Sequence, residues 1–427
     1  MFLVDQLKST LPEHPKRDPQ APLALQGIRV VDLSHFLAGP FATMILADMG
    51  ADVIKIEAPG KGDDFRYYPP IDPECSELGG AFIWTNRNKR SIALDLKSEA
   101  GLRVAKELIA TADVVVENFS TGVVDRLGLG YAACSRLNDR LVYCSISAYG
   151  REGAFADRLG FDPIAQAETG YLDMNGYPDR DGVRSGAAVM DISTGAMASN
   201  AILGALMARY QTGKGQHVEV ALFDTAFTMA GFAVTQSLLT GKVPGRHGNT
   251  SPDSSPSGLF HAKDKAFIIN CGTTRLFQRV FEAIGRPDIA NDPGFQARSD
   301  RLARRDELFA ILEEAFGAEP LAYWVPRLRS AGVPIGVVRN VAEAIESPEV
   351  RDRRLLSRIP HPVLGWLPNV ATPLRMSGTP VRNPVAAPSV GEHTDQILKE
   401  VLGYDESAIG QLKEAGALGQ HHITATV

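Results

Sequence analysis

The chain has 427 residues, 44% of them hydrophobic and 22% charged, which is length enough for two domains with buried cores and excludes a disordered or fibrous protein. Its net charge of -6 excludes polyanion binding by bulk positive charge, so an anionic ligand must be held by local cations and helix ends, and no nucleic-acid partner is expected. Four cysteines (Cys75, Cys134, Cys144, Cys271) form no CxxC pair and lack a histidine at metal-ligand spacing, so a reducing cytoplasm is expected, with no metal site and no disulfide framework.

Residues 1–25 read as a loosely held, proline-containing arm, too polar at Asp5 for a signal peptide, and no later stretch reads as long enough to span a bilayer, so no membrane partner is expected. From residue 27 short β-rich runs alternate with helical ones: "IRVVDL", "FATMILADMG", "ADVIKIEAP", "SIALDL", "AGLRVAKELIATA", "DVVVENF" and "LVYCSISAYG". Apolar runs without strict alternation predict strands buried on both faces, hence a parallel sheet in a doubly wound α/β domain. A helix is expected over about 192–210, stopped by "QTGKGQ" and followed by the strand-like "HVEVALFD". Its small residues Gly195, Ala196, Ala198 and Ser199 invite close approach by another backbone.

Residues 231–330 read as a smaller inserted α+β domain, with a loop at 246–258, the strand "AFIINCG" and the helices "LFQRVFEAIG" and "RDELFAILEEAFG". "VPIGVVRN" reads as the return to the large domain, giving that domain the ranges 26–230 and 331–427. Seven prolines between 360 and 388 predict a long extended connection before two short carboxyl-terminal helices.

Most single motifs have a plain structural explanation. "GLGYAA" matches GxGxxA but follows a helical turn where a dinucleotide site needs a strand, and "TGKG" is explained by a helix-to-strand turn. Asp191, at the start of a helix of small residues, has the position of an N-cap. His35 follows the first strand, where open α/β sheets bind ligands, and the clusters "NRNKRS" and "ENFSTGVVDR" lie at strand edges where cations can meet phosphates.

In order along the chain, "GIRVVDLSHFLAGPFATMILADMGADVIKIEAPGKGDDFR", "NRNKRSIALDLK", "VVVENFSTGVVDRLGLGY", "MDISTG" with "ARYQTGKGQHVEVALFD", and "GEHTDQILKE" resemble the class III CoA-transferases, the family of formyl-CoA transferase and the α-methylacyl-CoA racemases. The resemblance implies a Rossmann-like large domain built from both chain ends, a small inserted domain and an interlocked homodimer. It implies Asp191 as the acyl acceptor, and on physical grounds a helix start capped by Asp191 would keep that carboxyl ionised. It also implies CoA contacts at Leu37, Ala38, Lys89, Asn118, Phe119, Arg126 and Tyr149, with CoA and acyl-CoA as substrates and no permanently bound cofactor. Leu37 replaces the oxalyl-contacting glutamine of formyl-CoA transferase, and the glycine-rich lid of that enzyme is absent. Phe161 stands where racemases need a proton-exchanging histidine, which disfavours racemisation. A CoA-binding protein without turnover is the other alternative. "LAGPFATM", "KGDDFR" and "YDESAIGQLKEAG" are most similar to members acting on small dicarboxylates with succinyl-CoA, and Arg66, Arg87 and Arg184 are the candidates to hold a distal carboxylate.

Overall fold

The computed structural model describes residues 11–71 and 75–418. Branched apolar runs form strands β1 (Arg29–Asp32), β2 (Asp52–Glu57), β3 (Lys89–Ala93), β4 (Val114–Glu117), β5 (Val142–Ser147) and β6 (Gln216–Ala221). All pair in parallel, in the order β3-β2-β1-β4-β5-β6. Neighbouring residues on one strand enter opposite cores: Val31, Ile54 and Val115 face one cluster, while Val30, Val53 and Val114 face the other. That two-sided burial is why the strands lack apolar alternation. The order reverses between β1 and β4, and the loops leaving their carboxyl ends diverge there, which is where such sheets bind ligands.

Five helices matter for the site: α1 (Ala38–Asp48), α2 (Glu99–Ala110), α3 (Val123–Arg126), α4 (Asp162–Glu168) and α5 (Val189–Thr212). Helix α5 packs along α1, and Gly195 permits it, since a Cβ there would lie 2.5 Å from the Ala38 carbonyl oxygen. Ala198 and Ser199 are buried as well. The expected turn after α5 is present, with Gly213 left-handed at φ 75. Ile397, Ile409 and Leu412, from helices at Thr394–Leu402 and Glu406–Glu414, complete the core around Val31, so the late part of the chain helps build this first unit.

The first unit comprises the described residues up to Tyr171, Ser185–Gly231 and those from Glu349 onward; the second comprises Leu172–Arg184 and Phe232–Pro348. In the second, β7 (Ser257–His261), β8 (Ala266–Asn270) and β9 (Ile335–Val337) form an antiparallel sheet. Helices α6 (Thr274–Ala283), α7 (Arg305–Gly317) and α8 (Leu321–Ser330) pack with it around Phe260, Phe267, Phe281, Phe316 and Trp324.

Four expectations need correction. "VPIGVVRN" does not return to the large sheet, because β9 hydrogen-bonds to β8, and residues 172–184 join the same unit. The proline-rich stretch is not wholly extended, since Leu356–His361 and Gly365–Val370 form a hairpin. Pro360 and Pro368 fit there because both strands of a two-stranded ribbon are edges. The arm is tied down where it is described, with the Arg358 amide donating to the Pro12 carbonyl and the Arg17 amide to Asn383 Oδ1, while residues 1–10 lie outside the described residues. Finally, α5 has 24 residues and is apolar enough to span a bilayer, because its small residues are hydropathic without being bulky; in this fold it packs on α1 and β6.

Candidate active site

The loop from β1 into α1 runs through Ser34, His35, Phe36 and Leu37, and it is held from three sides. Asn118, just after β4, clamps His35 by accepting from its amide and donating to its carbonyl, both at 2.8 Å. Lys55 Nζ donates to the Ser34 carbonyl at 2.7 Å and pairs with Asp63 at 3.0 Å. Asp63 in turn accepts from the Phe36 amide at 3.2 Å. Phe36 has φ 61, a left-handed conformation that costs on the order of 1–3 kcal/mol for a bulky residue and persists because these bonds fix its neighbours. The next residues are thereby turned into α1, whose start at Leu37 has no side-chain cap. Leu37 and Ala38, both expected to contact CoA, stand at this turn, 8% and 4% exposed.

Beneath the loop lies a saturated ionic cluster. Asp32 accepts from Thr43 Oγ1 at 2.7 Å, from Lys89 Nζ at 2.9 Å and from the Ser34 amide at 3.0 Å. Burial opposes its ionisation, but Lys89, Lys55 and these hydrogen bonds prevail and hold the carboxyl well below the usual range. Lys89 also donates to the Pro40 carbonyl and to Asn86 Oδ1, and it is 2% exposed. The expected phosphate contact by Lys89 is therefore wrong: its three donors are used inside the fold, holding β3 to the first turn of α1.

Asp191 is placed differently. Helix α5 begins before it, with Ala188 at the cap position and no side-chain cap from its own start, so Asp191 is the third helical residue and not the N-cap. The cap comes from Asp162 at the start of α4, whose Oδ2 accepts from the Met190 amide at 2.6 Å and from the Asp191 amide at 3.3 Å. Gln166 donates to the other oxygen of Asp162 at 2.5 Å and accepts the Ser185 amide at 2.9 Å. Burial, followed by the charge of Asp162, pushes Asp191 up to about 7. This upward shift runs against the expectation that its helix start keeps Asp191 ionised. Asp191 precedes Gly195 by one turn on the same helical face, so it stands over the end of α1 that begins at Ala38.

The remaining expected residues line the carboxyl ends of β4 and β5. Phe119 meets His35 edge to face at 4.8 Å, and its carbonyl accepts from Arg151 Nη1 at 2.6 Å. Arg151 also grips buried Glu117 through both oxygens at 2.9 Å, which fixes the β4 turn. Arg126 is exposed on α3, the short helix that follows this turn. Tyr149 donates to Glu168 Oε2 at 2.7 Å, so its hydroxyl is already engaged. Phe161 is 65% exposed beside Asp162.

Two of the three cations considered for a distal carboxylate are excluded. Arg66 is fully buried, bound to Glu57 at 2.6 Å, and Arg87 is bound to Asp48 at 2.6 Å. Both are structural pairs inside the fold. Arg184 is exposed and belongs to the second unit. In that unit the 246–258 segment is anchored to the stretch that ends at Arg184, with Arg246 bound to Asp173 at 2.6 Å and Asn249 to the Tyr177 hydroxyl at 3.0 Å. Among the described residues no group of acidic, histidine or cysteine side chains could hold a metal ion.

The sequence of CoA-transferase family III matches residues 25–394. This chain belongs to that family. It is 35% identical over 407 residues to the succinyl-CoA:glutarate CoA-transferase of Mus musculus, covering 95% of this chain and 93% of the relative. It is 39% identical over 385 residues to the acetyl-CoA:oxalate CoA-transferase of Acetobacter aceti, covering 90% and 96%. A CAIB/BAIF family protein from Brucella suis has the same fold, with a TM-score of 0.80 at 36% identity over 89% of this chain and 99% of that one. As a family III member the chain is a CoA-transferase. Reading the sequence missed Asp162, Lys55 and the Glu117–Arg151 pair as parts of this site. The proline after Asp162 was an available signal, because proline favours the first turn of a helix and so marks α4 as starting there.

Proposed function

We propose that the protein moves CoA from succinyl-CoA to a small dicarboxylic acid through covalent intermediates on Asp191. Relatives named for succinate and glutarate, or for succinyl-CoA and D-citramalate, support this substrate class. The observation that carries the mechanism is the placement of Asp191: a partly buried carboxyl one turn before the Gly195–Ala38 contact, with a pKa near 7.

The Asp191 carboxylate attacks the carbonyl carbon of the donor thioester, the C–S bond breaks, and CoA leaves as thiolate from an acyl-aspartyl anhydride. The thiolate attacks the aspartyl carbonyl carbon of that anhydride and expels the donor acid as carboxylate, leaving an aspartyl-CoA thioester. The acceptor carboxylate repeats the first step on this thioester, and the returning thiolate forms the new acyl-CoA and frees Asp191. No proton is consumed. A carboxylate of raised pKa is a stronger nucleophile once ionised, and the start of α1, which has no side-chain cap, suits the oxyanion formed at each exchange.

In this reading CoA follows the β1–β4 crevice past Leu37, Ala38 and Phe119, with Arg126 meeting a phosphate, Asn118 holding the loop and Tyr149 flanking the acyl end. We further propose a homodimer in a reducing cytoplasm. Exposed Met207 and Tyr210 on the first unit, exposed Phe232, Leu238 and Leu239 on the second, and buried unpaired Cys134, Cys144 and Cys271 support this reading. Hydroxylamine added during turnover with succinyl-CoA should convert Asp191 to a hydroxamate, read by peptide mass. Turnover without any such adduct, or any aspartyl-bound CoA, would refute the mechanism.

A further inference from the structure

A second cationic site lies at the opposite edge of the parallel sheet. Arg87 lies two residues before β3 and Asp48 ends α1, so both stand at the amino-terminal edge of the strands, away from the β1–β4 crevice. Around them is a cavity of about 310 Å³, within the size range of small-ligand sites. Its floor is the Arg87–Asp48 pair at 2.6 Å, and Asp48 is the only acidic residue among the described residues that line it. Lys16, Arg17, Arg353, Arg354, Arg375 and Arg382 form the walls. With Asp48 neutralised by Arg87, none of those six cations has a carboxylate partner among the described residues, in a protein whose net charge is -6.

Concentrating like charge in one concavity is unfavourable unless an opposite charge enters it. Some of the arrangement is built in. Arg375 is oriented by donating to the carbonyls of Thr372, Leu374 and Arg353 at 2.9–3.0 Å. Arg354 adopts φ 50, an unfavourable conformation for a long side chain. Arg17 Nε is buried with no hydrogen-bond partner among the described residues. His14 is held towards its neutral form by burial, with the charges of Arg375 and Arg87 adding to the effect.

We propose that this cavity is a second anion site, separate from the CoA crevice, which takes a compact ligand carrying at least two negative charges on phosphoryl or carboxylate oxygens. Planar guanidiniums suit such oxyanions because each can donate two parallel hydrogen bonds. The test is isothermal titration of the full chain, saturated with CoA, with pyrophosphate, with citrate, and with sodium chloride at matched ionic strength. One ligand should bind per chain, chloride should give no saturable heat, and R353A/R382A should weaken binding by roughly tenfold or more while keeping its melting temperature. Saturation by pyrophosphate alone assigns a phosphoryl ligand, and saturation by citrate alone assigns a polycarboxylate. Equal affinity in the folded double variant overturns the proposal. So does the absence of binding by either anion, which is also the result if a second copy of the chain closes the cavity.

Discussion

Asp32 and Asp191 are two carboxyls in one unit of the fold with opposite surroundings. Asp32 is fully buried among lysines and hydroxyls and is held ionised, while Asp191 is partly buried beside another carboxylate and is pushed up to about 7. The difference teaches that burial by itself does not decide the state of an acid; the donors that burial brings with it do. A saturated carboxylate braces the fold, and one short of donors is held nearer its protonated form.

The largest effect expected from breaking this comparison is on activity. Asp191→Ala should lower CoA transfer from succinyl-CoA by at least ~1,000-fold, the scale of losing a covalent nucleophile, with unchanged circular dichroism. Asp32→Asn should instead act on stability, losing about 3–5 kcal/mol in urea unfolding because Lys89 is left buried without its counter-charge. Asp191→Asn should have the opposite sign. In the folded state Asp191 holds its proton up to about pH 7, against 3.8 as its ordinary value, so ionising it penalises folding progressively from about pH 4 to pH 7. The amide variant escapes that penalty and should be more stable than the parent by up to about 4 kcal/mol at pH 8, and no more stable at pH 4. If Asp191→Asn is no more stable at pH 8, Asp191 is already well supplied and the contrast with Asp32 disappears.

Two smaller effects sharpen the picture. Gly195→Val places a side chain against the Ala38 carbonyl, where a Cβ has only 2.5 Å, and should cost about 1–3 kcal/mol while lowering kcat, as α5 is pushed away from α1. Asp162→Asn retains an oxygen to cap α5 but removes the second contribution to the raised Asp191 pKa. The acid limb of kcat/KM should then move from about pH 7 to lower pH, by roughly half a unit to one unit. An unmoved acid limb would leave burial as the whole cause.

Much of the architecture was legible in the chain. The β-rich runs from "IRVVDL" to "LVYCSISAYG" became parallel strands with both faces buried, and the long helix of small residues fell at Val189–Thr212 against an expected 192–210. Asp191 reads as a helix cap from its position and as the acyl acceptor from the resemblance, and the cap reading is the one the structure overturns. That error is instructive, because a cap is defined by which oxygen reaches the amides, and the oxygen that does so belongs to Asp162, 29 residues earlier. Lys89 in "NRNKRS" carries a charge suited to phosphate, yet its direction into the interior depends on Asp32, from another strand. Arg66 and Arg87 failed as substrate anchors for the same reason, each having a carboxylate partner on another element, nine residues away for Arg66 and 39 for Arg87.

By itself, the sequence determined the parallel sheet, the helix that carries Asp191 and the membership of a family that transfers CoA, because apolar periodicity, small-residue spacing and ordered motifs are local properties of the chain. Only the tertiary structure decided which charges are spent and which are available, that Asp162 caps α5, and that β9 belongs to the smaller sheet. Charge state and strand pairing depend on groups brought together from far apart in sequence, and both are set by desolvation and hydrogen-bond supply at the place where those groups meet.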